Sequence, residues 1–264
     1  MGAIGVANAQ QCSSSITTCG CTISSPGIYT VDADLNATQG LTSRRGCIDV
    51  AADKVRLFTN GHAITGAGNG TGIGIHLLSS ADDVLLEAGA SSGLNCCRYT
   101  TLSGWQYGLE SEASHVISDG FTQSGNTTGV LLNGAKRNSI TNFMANRNSV
   151  YGVWINGGSA NQITDASASN NGVAGVYIGC AKTWPSGKAC DRDADTSSGN
   201  TIYYLVGLSE NYGIAVEKGS KGNIITSTWS RSNTVDDLFD GNSNSGINLW
   251  RANGFGTANQ SYIH

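Results

Sequence analysis

Apolar and polar residues alternate along much of the chain in short runs of three to five positions, each opened by glycine and closed by polar turn residues. In the second half these runs return at spacings of 23, 23 and 38 residues. The runs, led by Gly129, Gly152, Gly175 and Gly213, predict short β-strands in a repeat of about 23 residues with one insertion of about 15.

A second marker has the same period. Isoleucine follows two positions after asparagine at Asn138, Asn161, Asn200 and Asn223, with intervals of 23, 39 and 23 residues, so the long interval falls at the same place. No run is long enough for an ordinary helix. Gly and Asn tolerate left-handed backbone conformations, and stacked Asn side chains can hydrogen-bond along a ladder. The pattern favours a parallel β-helix over a leucine-rich repeat.

The first half carries the same phase more loosely, for example at Cys47 to Val50 and Gly74 to Leu77. We therefore predict one all-β domain over residues 10–264, a right-handed parallel β-helix of about eight coils. Its parts are an N-terminal cap at 10–46, coils at 47–250 and a tail at 251–264.

Three segments carry a family resemblance: Val55 to Gly66, Cys21 to Tyr29, and Asn253 to Thr257. They resemble secreted right-handed parallel β-helix proteins of the pectate-lyase-like superfamily. The resemblance implies the fold for nearly the whole chain. It leaves the activity open, because that superfamily includes lyases, hydrolases, epimerases and members without known activity.

Composition indicates where the protein is located and which classes of partner it can bind. Eight cysteines without zinc-site spacing favour disulfides, and Ala7-Asn8-Ala9 is typical of a signal-peptidase site, so residues 1–9 are interpreted as the remnant of a secretory signal. We expect Cys180 to pair with Cys190 at the base of the insertion, and Cys21 with Cys47 at the cap. A net charge of −4 without a basic stripe argues against nucleic acid, and no apolar run is long enough for a membrane span.

Side chains alternate along a strand, so the middle residue of each repeated run should point outward. The predicted outward column contains an acid, imidazole, acid series, and two aromatic residues follow further along. Asp49, His76 and Glu110 are the candidate catalytic residues, since two carboxylates separated by one rung have the spacing of an inverting glycosidase pair. The alternative is that they are solvated residues on an ordinary sheet face.

Trp154 and Tyr177 are expected to be exposed neighbours on which sugar rings stack. The alternative is that they pack beneath the Cys180 to Cys190 loop, whose Trp184 could cover them or add a binding surface. Arg147, in a turn, is a candidate for binding an acidic substrate.

Asp191, Asp193 and Asp195 have the alternating acids of a calcium loop without its later glycine and distal acid. Calcium is thus a candidate ligand, and no cofactor is expected to be required.

Two functions fit these observations. One is an extracellular enzyme that acts on a polysaccharide laid along a parallel sheet, as a hydrolase, lyase or epimerase. The other is a non-catalytic β-helix of the cell surface or matrix that binds glycans or associates with copies of itself.

Overall fold

The computed structural model describes residues 10–37, 41, 44–68, 70–89, 99–180 and 196–264. Within these ranges every regular element is a β-strand, and none is a helix. The strands are β1 (Gln10–Gln11), β2 (Ser15–Ile16), β3 (Cys21–Ile23), β4 (Gly27–Val31), β5 (Leu35–Asn36), β6 (Gly46–Val50), β7 (Val55–Phe58), β8 (Ile64–Thr65), β9 (Ile73–Leu77), β10 (Leu85–Glu87), β11 (Thr100–Ser103), β12 (Tyr107–Ser111), β13 (Ile117–Asp119), β14 (Phe121–Gln123), β15 (Thr128–Asn133), β16 (Ser139–Met144), β17 (Tyr151–Asn156), β18 (Gln162–Ser167), β19 (Ala174–Ile178), β20 (Thr201–Leu208), β21 (Tyr212–Val216), β22 (Ile224–Thr226), β23 (Trp229–Arg231), β24 (Asp236–Asp240), β25 (Leu249–Arg251) and β26 (Gly254–Phe255).

Two long sheets contain these strands. The first sheet has ten strands in the order β1-β3-β6-β9-β12-β15-β17-β19-β21-β24. Each strand therefore lies beside the strand that the chain adds to this sheet on its next turn. The second sheet has sixteen strands and forms the remaining walls of the coil. Every neighbouring pair is parallel, for example β15 with β17 and β17 with β19. A chain that returns repeatedly to the same sheet in parallel is a β-helix, and the predicted fold class is confirmed.

Stacked columns of aliphatic side chains from both sheets fill the interior of the coil. Val130, Val153, Val176 and Ile214 are directly opposite one another on successive strands of the first sheet, and all four have no exposed surface. Burying each such side chain contributes about 1.5–3 kcal/mol. The period of 23 in the sequence is the length of chain needed to return to this column.

An asparagine ladder closes one corner of the coil. The backbone N–H of Asn138 donates to the side-chain oxygen of Asn161, and that of Asn161 donates to Asn200, each at 3.0 Å. Asn200 and Asn223 continue the series in the same way. The second sequence marker is therefore structural, because each amide satisfies a buried backbone group that the turn would otherwise leave without a partner.

Two disulfides fasten the start of the chain, and they correct the predicted pairing of Cys21 with Cys47. Cys12 is bonded to Cys21, and Cys19 is bonded to Cys47. Cys21 is opposite Ile48 in the parallel register, so the two side chains point to the same face of the sheet. Cys47 precedes Ile48 in the chain and therefore points to the other face, away from Cys21. Strands β1 and β3 also extend the first sheet into the segment assigned to the cap.

Cys180 is disulfide-bonded, as expected. Its predicted partner Cys190 lies outside the described residues, together with Trp184 and the candidate calcium ligands Asp191, Asp193 and Asp195. Among the described residues no helix is long and apolar enough to cross a membrane.

Candidate functional site

The outward column of the first sheet has the predicted register. Asp49 is opposite His76, His76 is opposite Glu110, and the column continues without a slip to the last strand. Its further members are Leu131, Trp154, Tyr177, Ala215 and Phe239. The candidate catalytic residues therefore lie side by side on β6, β9 and β12.

The expectation that Trp154 and Tyr177 are exposed is wrong. Trp154 is 4% exposed and Tyr177 is 0% exposed. The ring of Tyr151 stacks on Tyr177 with centroids 4.9 Å apart and lies 5.6 Å from Trp154. Trp154 Nε1 donates to the carbonyl of Gly179 at 2.8 Å. The aromatic residues form a second apolar cluster on the outside of the sheet, so packing accounts for most of their surface.

A cleft of about 550 Å³ opens beside this cluster on the same face. His76, Glu110 and Trp154 line it, so it joins the titratable residues to the edge of the aromatic cluster. The other lining residues are Arg44, Leu78, Gln106, Tyr107, Glu112, Leu131, Asn133 and Asn156. A concave surface with a few converging polar groups is the usual form of a binding or active site.

His76 is held at the floor of the cleft by Asp49. His76 Nδ1 lies 3.4 Å from Asp49 Oδ1, and Asp49 in turn accepts a hydrogen bond of 2.8 Å from the backbone N–H of Gly46. The imidazole is 5% exposed, and neither ring nitrogen has a geometrically good hydrogen bond among the described residues. Asp49 does not line the cleft, so its carboxylate acts on the site through the imidazole.

Glu110 and Glu112 form the carboxylate pair of the cleft. Glu110 lies on β12 and Glu112 follows directly after its last residue, and both side chains line the cleft. The side-chain amide of Asn133 donates to both, at 3.3 Å to Glu110 and 3.4 Å to Glu112. Asn156, one strand further on, donates to the oxygen of Asn133 at 3.0 Å and fixes the orientation of that amide.

Burial and charge shift the titration of two groups here. Burial raises the pKa of Glu110 above its ordinary value, although His76 and the Asn133 amide oppose this. Burial lowers the pKa of His76, but Asp49, Glu110 and Glu112 together outweigh that effect and raise it. Each shift follows from confining several titratable groups in a space with little water.

Three side chains of the cleft have the chemistry of metal ligands. One imidazole nitrogen of His76 and one oxygen each of Glu110 and Glu112 lie within 4.8 Å of one another. Imidazole nitrogen with two carboxylates is a donor set that zinc and manganese accept, whereas calcium prefers oxygen ligands alone. Among the described residues this is the one such group of three.

The cleft contains predicted and unpredicted residues. His76, Glu110 and Trp154 line it, whereas Arg147 is exposed at a turn with φ of 59° and does not. Glu112 and Asn133 were missed by the sequence analysis. The Glu-Ser-Glu spacing was the available signal for Glu112, since alternate residues on a strand share a face.

Comparison with known proteins gives the fold. No protein-family model matches the chain, and no curated protein matches it. A variant of the periplasmic alginate epimerase AlgG has a TM-score of 0.51 at 11% identity, covering 90% of this chain and 71% of that chain. An alginate lyase from Paenibacillus sp. str. FPU-7 has a TM-score of 0.46 at 16% identity, covering 86% and 78%. The similarity to the AlgG variant agrees with the right-handed parallel β-helix fold of this chain.

Proposed function

We propose that this right-handed parallel β-helix protein hydrolyses an uncharged polysaccharide, which it binds along the outer face of the first sheet. The observation that carries the proposal is the carboxylate pair of the buried Glu110 and the partly buried Glu112 beside His76 in an open cleft. The similar structure named an alginate epimerase supports a polysaccharide substrate for this fold. The reaction itself is argued from the cleft.

The charge of the cleft favours an uncharged glycan over a polyuronate. Glu110 and Glu112 line the cleft together with the guanidinium of Arg44 and the imidazole of His76. A uronate bound at the carboxyl pair would place its carboxylate beside that of Glu112, where like charges cost several kcal/mol in a site with little water. Neutral sugars instead offer hydroxyl groups that carboxylates and the Asn133 and Asn156 amides can hydrogen-bond.

In the proposed reaction Glu110 is the general acid. Its burial favours the protonated form, so it can donate a proton to the glycosidic oxygen as the bond to the leaving sugar breaks. The carboxylate of Glu112 attacks the anomeric carbon and forms a glycosyl ester. Water, deprotonated by Glu110, then releases the sugar and regenerates both carboxyl groups.

The separation of the carboxylates predicts the stereochemical outcome. Their nearest oxygens lie within 4.8 Å, which is the short spacing typical of retaining enzymes rather than the roughly 6.5–9.5 Å of inverting ones. The sequence had suggested Asp49 and Glu110 as an inverting pair of catalytic carboxyl groups with a water between them. The catalytic pair proposed here is Glu110 and Glu112. Asp49 becomes a positioning residue for His76.

Trp154 is proposed to contact the glycan at one end of the cleft with the small part of its ring that remains accessible. Because the rest of the ring packs on Tyr151, its substitution would also lower the stability of the protein. The two N-terminal disulfides fit an extracellular location, where oxidising conditions preserve them.

The proposal is tested by incubating the protein with neutral xyloglucan, laminarin and galactomannan, and with acidic alginate and polygalacturonate. We expect reducing ends from a neutral polymer, with the anomeric configuration retained in a proton NMR time course. Ultraviolet absorbance of an unsaturated product from an acidic polymer would identify a lyase instead. Binding without any product would favour the non-catalytic alternative, and Glu110→Gln and Glu112→Gln serve as inactive controls.

A further inference from the structure

The imidazole of His76 is a buried polar group at the floor of the cleft. Its Nδ1 lies 3.4 Å from Asp49 Oδ1, whereas its Nε2 has no hydrogen-bond partner among the described residues. A buried polar group without a partner costs about 1–3 kcal/mol. Such a cost on a group that faces an open cleft points to a ligand that the imidazole meets there.

The neighbouring groups indicate the chemistry of that ligand. Glu110 and Glu112 each bring an oxygen within 4.8 Å of an imidazole nitrogen and of each other. Two ligand atoms of a tetrahedral zinc ion are about 3.4 Å apart, so side-chain movements of about 1 Å would bring the three into coordination range. The Glu112 carboxylate, with Asp49 behind the imidazole, attracts cations.

We infer that His76, Glu110 and Glu112 bind a divalent cation of the zinc and manganese class. The nitrogen ligand selects these metals over calcium and magnesium, which prefer oxygen ligands alone. Asp49 would not coordinate the metal itself. Its carboxylate lies 3.4 Å from His76 Nδ1 and orients the imidazole that does. The cleft leaves space for water molecules to complete the coordination.

The cation also regulates the site, and this part rests on the proposed function. A metal held by Glu110 and Glu112 withdraws both carboxylates from hydrolysis, because the proton donor and the nucleophile are then coordinated. Zinc and the glycan therefore compete for the same groups. The metal-free protein is the active form, and a chelator maintains its activity.

Isothermal titration calorimetry of the untagged protein with zinc chloride, manganese chloride and calcium chloride tests the binding without any glycan. We expect one zinc ion per chain, manganese binding more weakly, and calcium binding at least 10-fold more weakly than zinc. Glu112→Gln and His76→Ala should each weaken zinc binding at least 10-fold. His115→Ala is the matched control, since His115 and Asp82 form an exposed pair 2.7 Å apart and should not contribute.

Glu112→Gln keeps the test decisive if His76→Ala fails to fold, because Glu112 is only partly buried at the end of its strand. Zinc binding that survives Glu112→Gln, or calcium binding as tight as zinc, would overturn the inference. Loss of zinc binding in His115→Ala would place the metal on the surface instead and also overturn it. Zinc binding at the cleft, together with a chelator-treated, metal-free protein that hydrolyses no polymer, would refute the proposed function alone.

Discussion

Glu110 and Glu210 are both buried carboxyl groups on the same solenoid, with 7% and 2% of their surface exposed, but their surroundings differ. Glu110 faces a cleft and shares it with His76, Glu112 and the amide of Asn133. Glu210 occupies a closed asparagine ladder, in which the Asn171 amide donates to its Oε1 at 3.4 Å and its Oε2 lacks a partner among the described residues.

Burial raises the pKa of both groups, and it raises that of Glu210 to about 9. The comparison shows that a shifted pKa does not identify a reaction centre. Glu110 is a candidate catalyst because other functional groups converge on it in a space that a substrate can enter. Glu210 is buried within the asparagine ladder, so its effect should be on stability.

Substituting Glu110 with Gln has the largest expected effect on function. The change removes the proposed proton donor with little change of shape, so the hydrolysis rate should fall by about 10²- to 10⁴-fold. The melting temperature should stay the same or rise, since a buried titratable group is replaced by a neutral one. Reducing-end release and thermal unfolding measure the two effects.

Asn161→Asp places a carboxyl group in a closed asparagine ladder, so it should be buried there in the same way as Glu210. Asn161 is 1% exposed, and its amide donates to the carbonyl of Ala135 at 2.9 Å and to Asn200 at 3.0 Å. Losing these donors and burying an acid should lower the free energy of unfolding by about 3 kcal/mol at pH 7. Urea denaturation tests this, with the exposed Asn142→Asp as the control. Equal stability of the two variants would show that the ladder tolerates charge.

Glu210→Gln should make stability less dependent on pH. With a folded-state pKa of about 9 against an ordinary value of 4.5, the protonated form fits the fold, so the wild type is most stable at acidic pH. Its stability should fall as pH rises between these values, by at most about 1.4 kcal/mol per pH unit. Denaturant unfolding from pH 5 to 9 should show a shallower slope for the variant. An identical slope in both proteins would mean that Glu210 does not titrate in this range.

Asn133→Ala should have the smallest effect, on function more than on stability. It removes the donor shared by Glu110 and Glu112, and we expect about a 10-fold lower hydrolysis rate. Asn146→Ala is a suitable control, because Asn146 is also a partly buried amide that accepts bonds from β18 and the following turn, away from the cleft. A lower rate in the control alone would contradict the role given to Asn133.

The sequence was sufficient for the parts of the fold that repeat. Gly129 to Leu132 and its counterparts recur at the interval at which the chain returns to the same sheet, so both the register and the outward column could be predicted. The disulfide partner of Cys21 could not be predicted, because it depends on which face of the sheet each cysteine occupies in the irregular first coils. The burial of Tyr177 was predicted only as an alternative, with the Cys180 to Cys190 loop as its cover. Tyr151, whose ring stacks on Tyr177, was missed because it comes from a position outside the alternating pattern.

The cleft was only partly predictable for the same reason. His76 and Glu110 follow from the strand register, whereas Arg44 and Asn133 reach the site from the ends of other segments. Glu210 could have been noticed, because it occupies the position where the neighbouring coils have Asn148 and Asn171. What such a replacement does to its pKa depends on the closure of the ladder, which sequence spacing does not specify.

The most direct test of the central claim is to compare Glu110→Gln and Glu210→Gln side by side on the neutral polysaccharide that the wild type cleaves. At equal concentrations of folded protein, reducing-end release should be almost abolished in Glu110→Gln and unchanged in Glu210→Gln. Equal activity in the two variants would contradict the account, because the open cleft would then matter no more than the closed ladder.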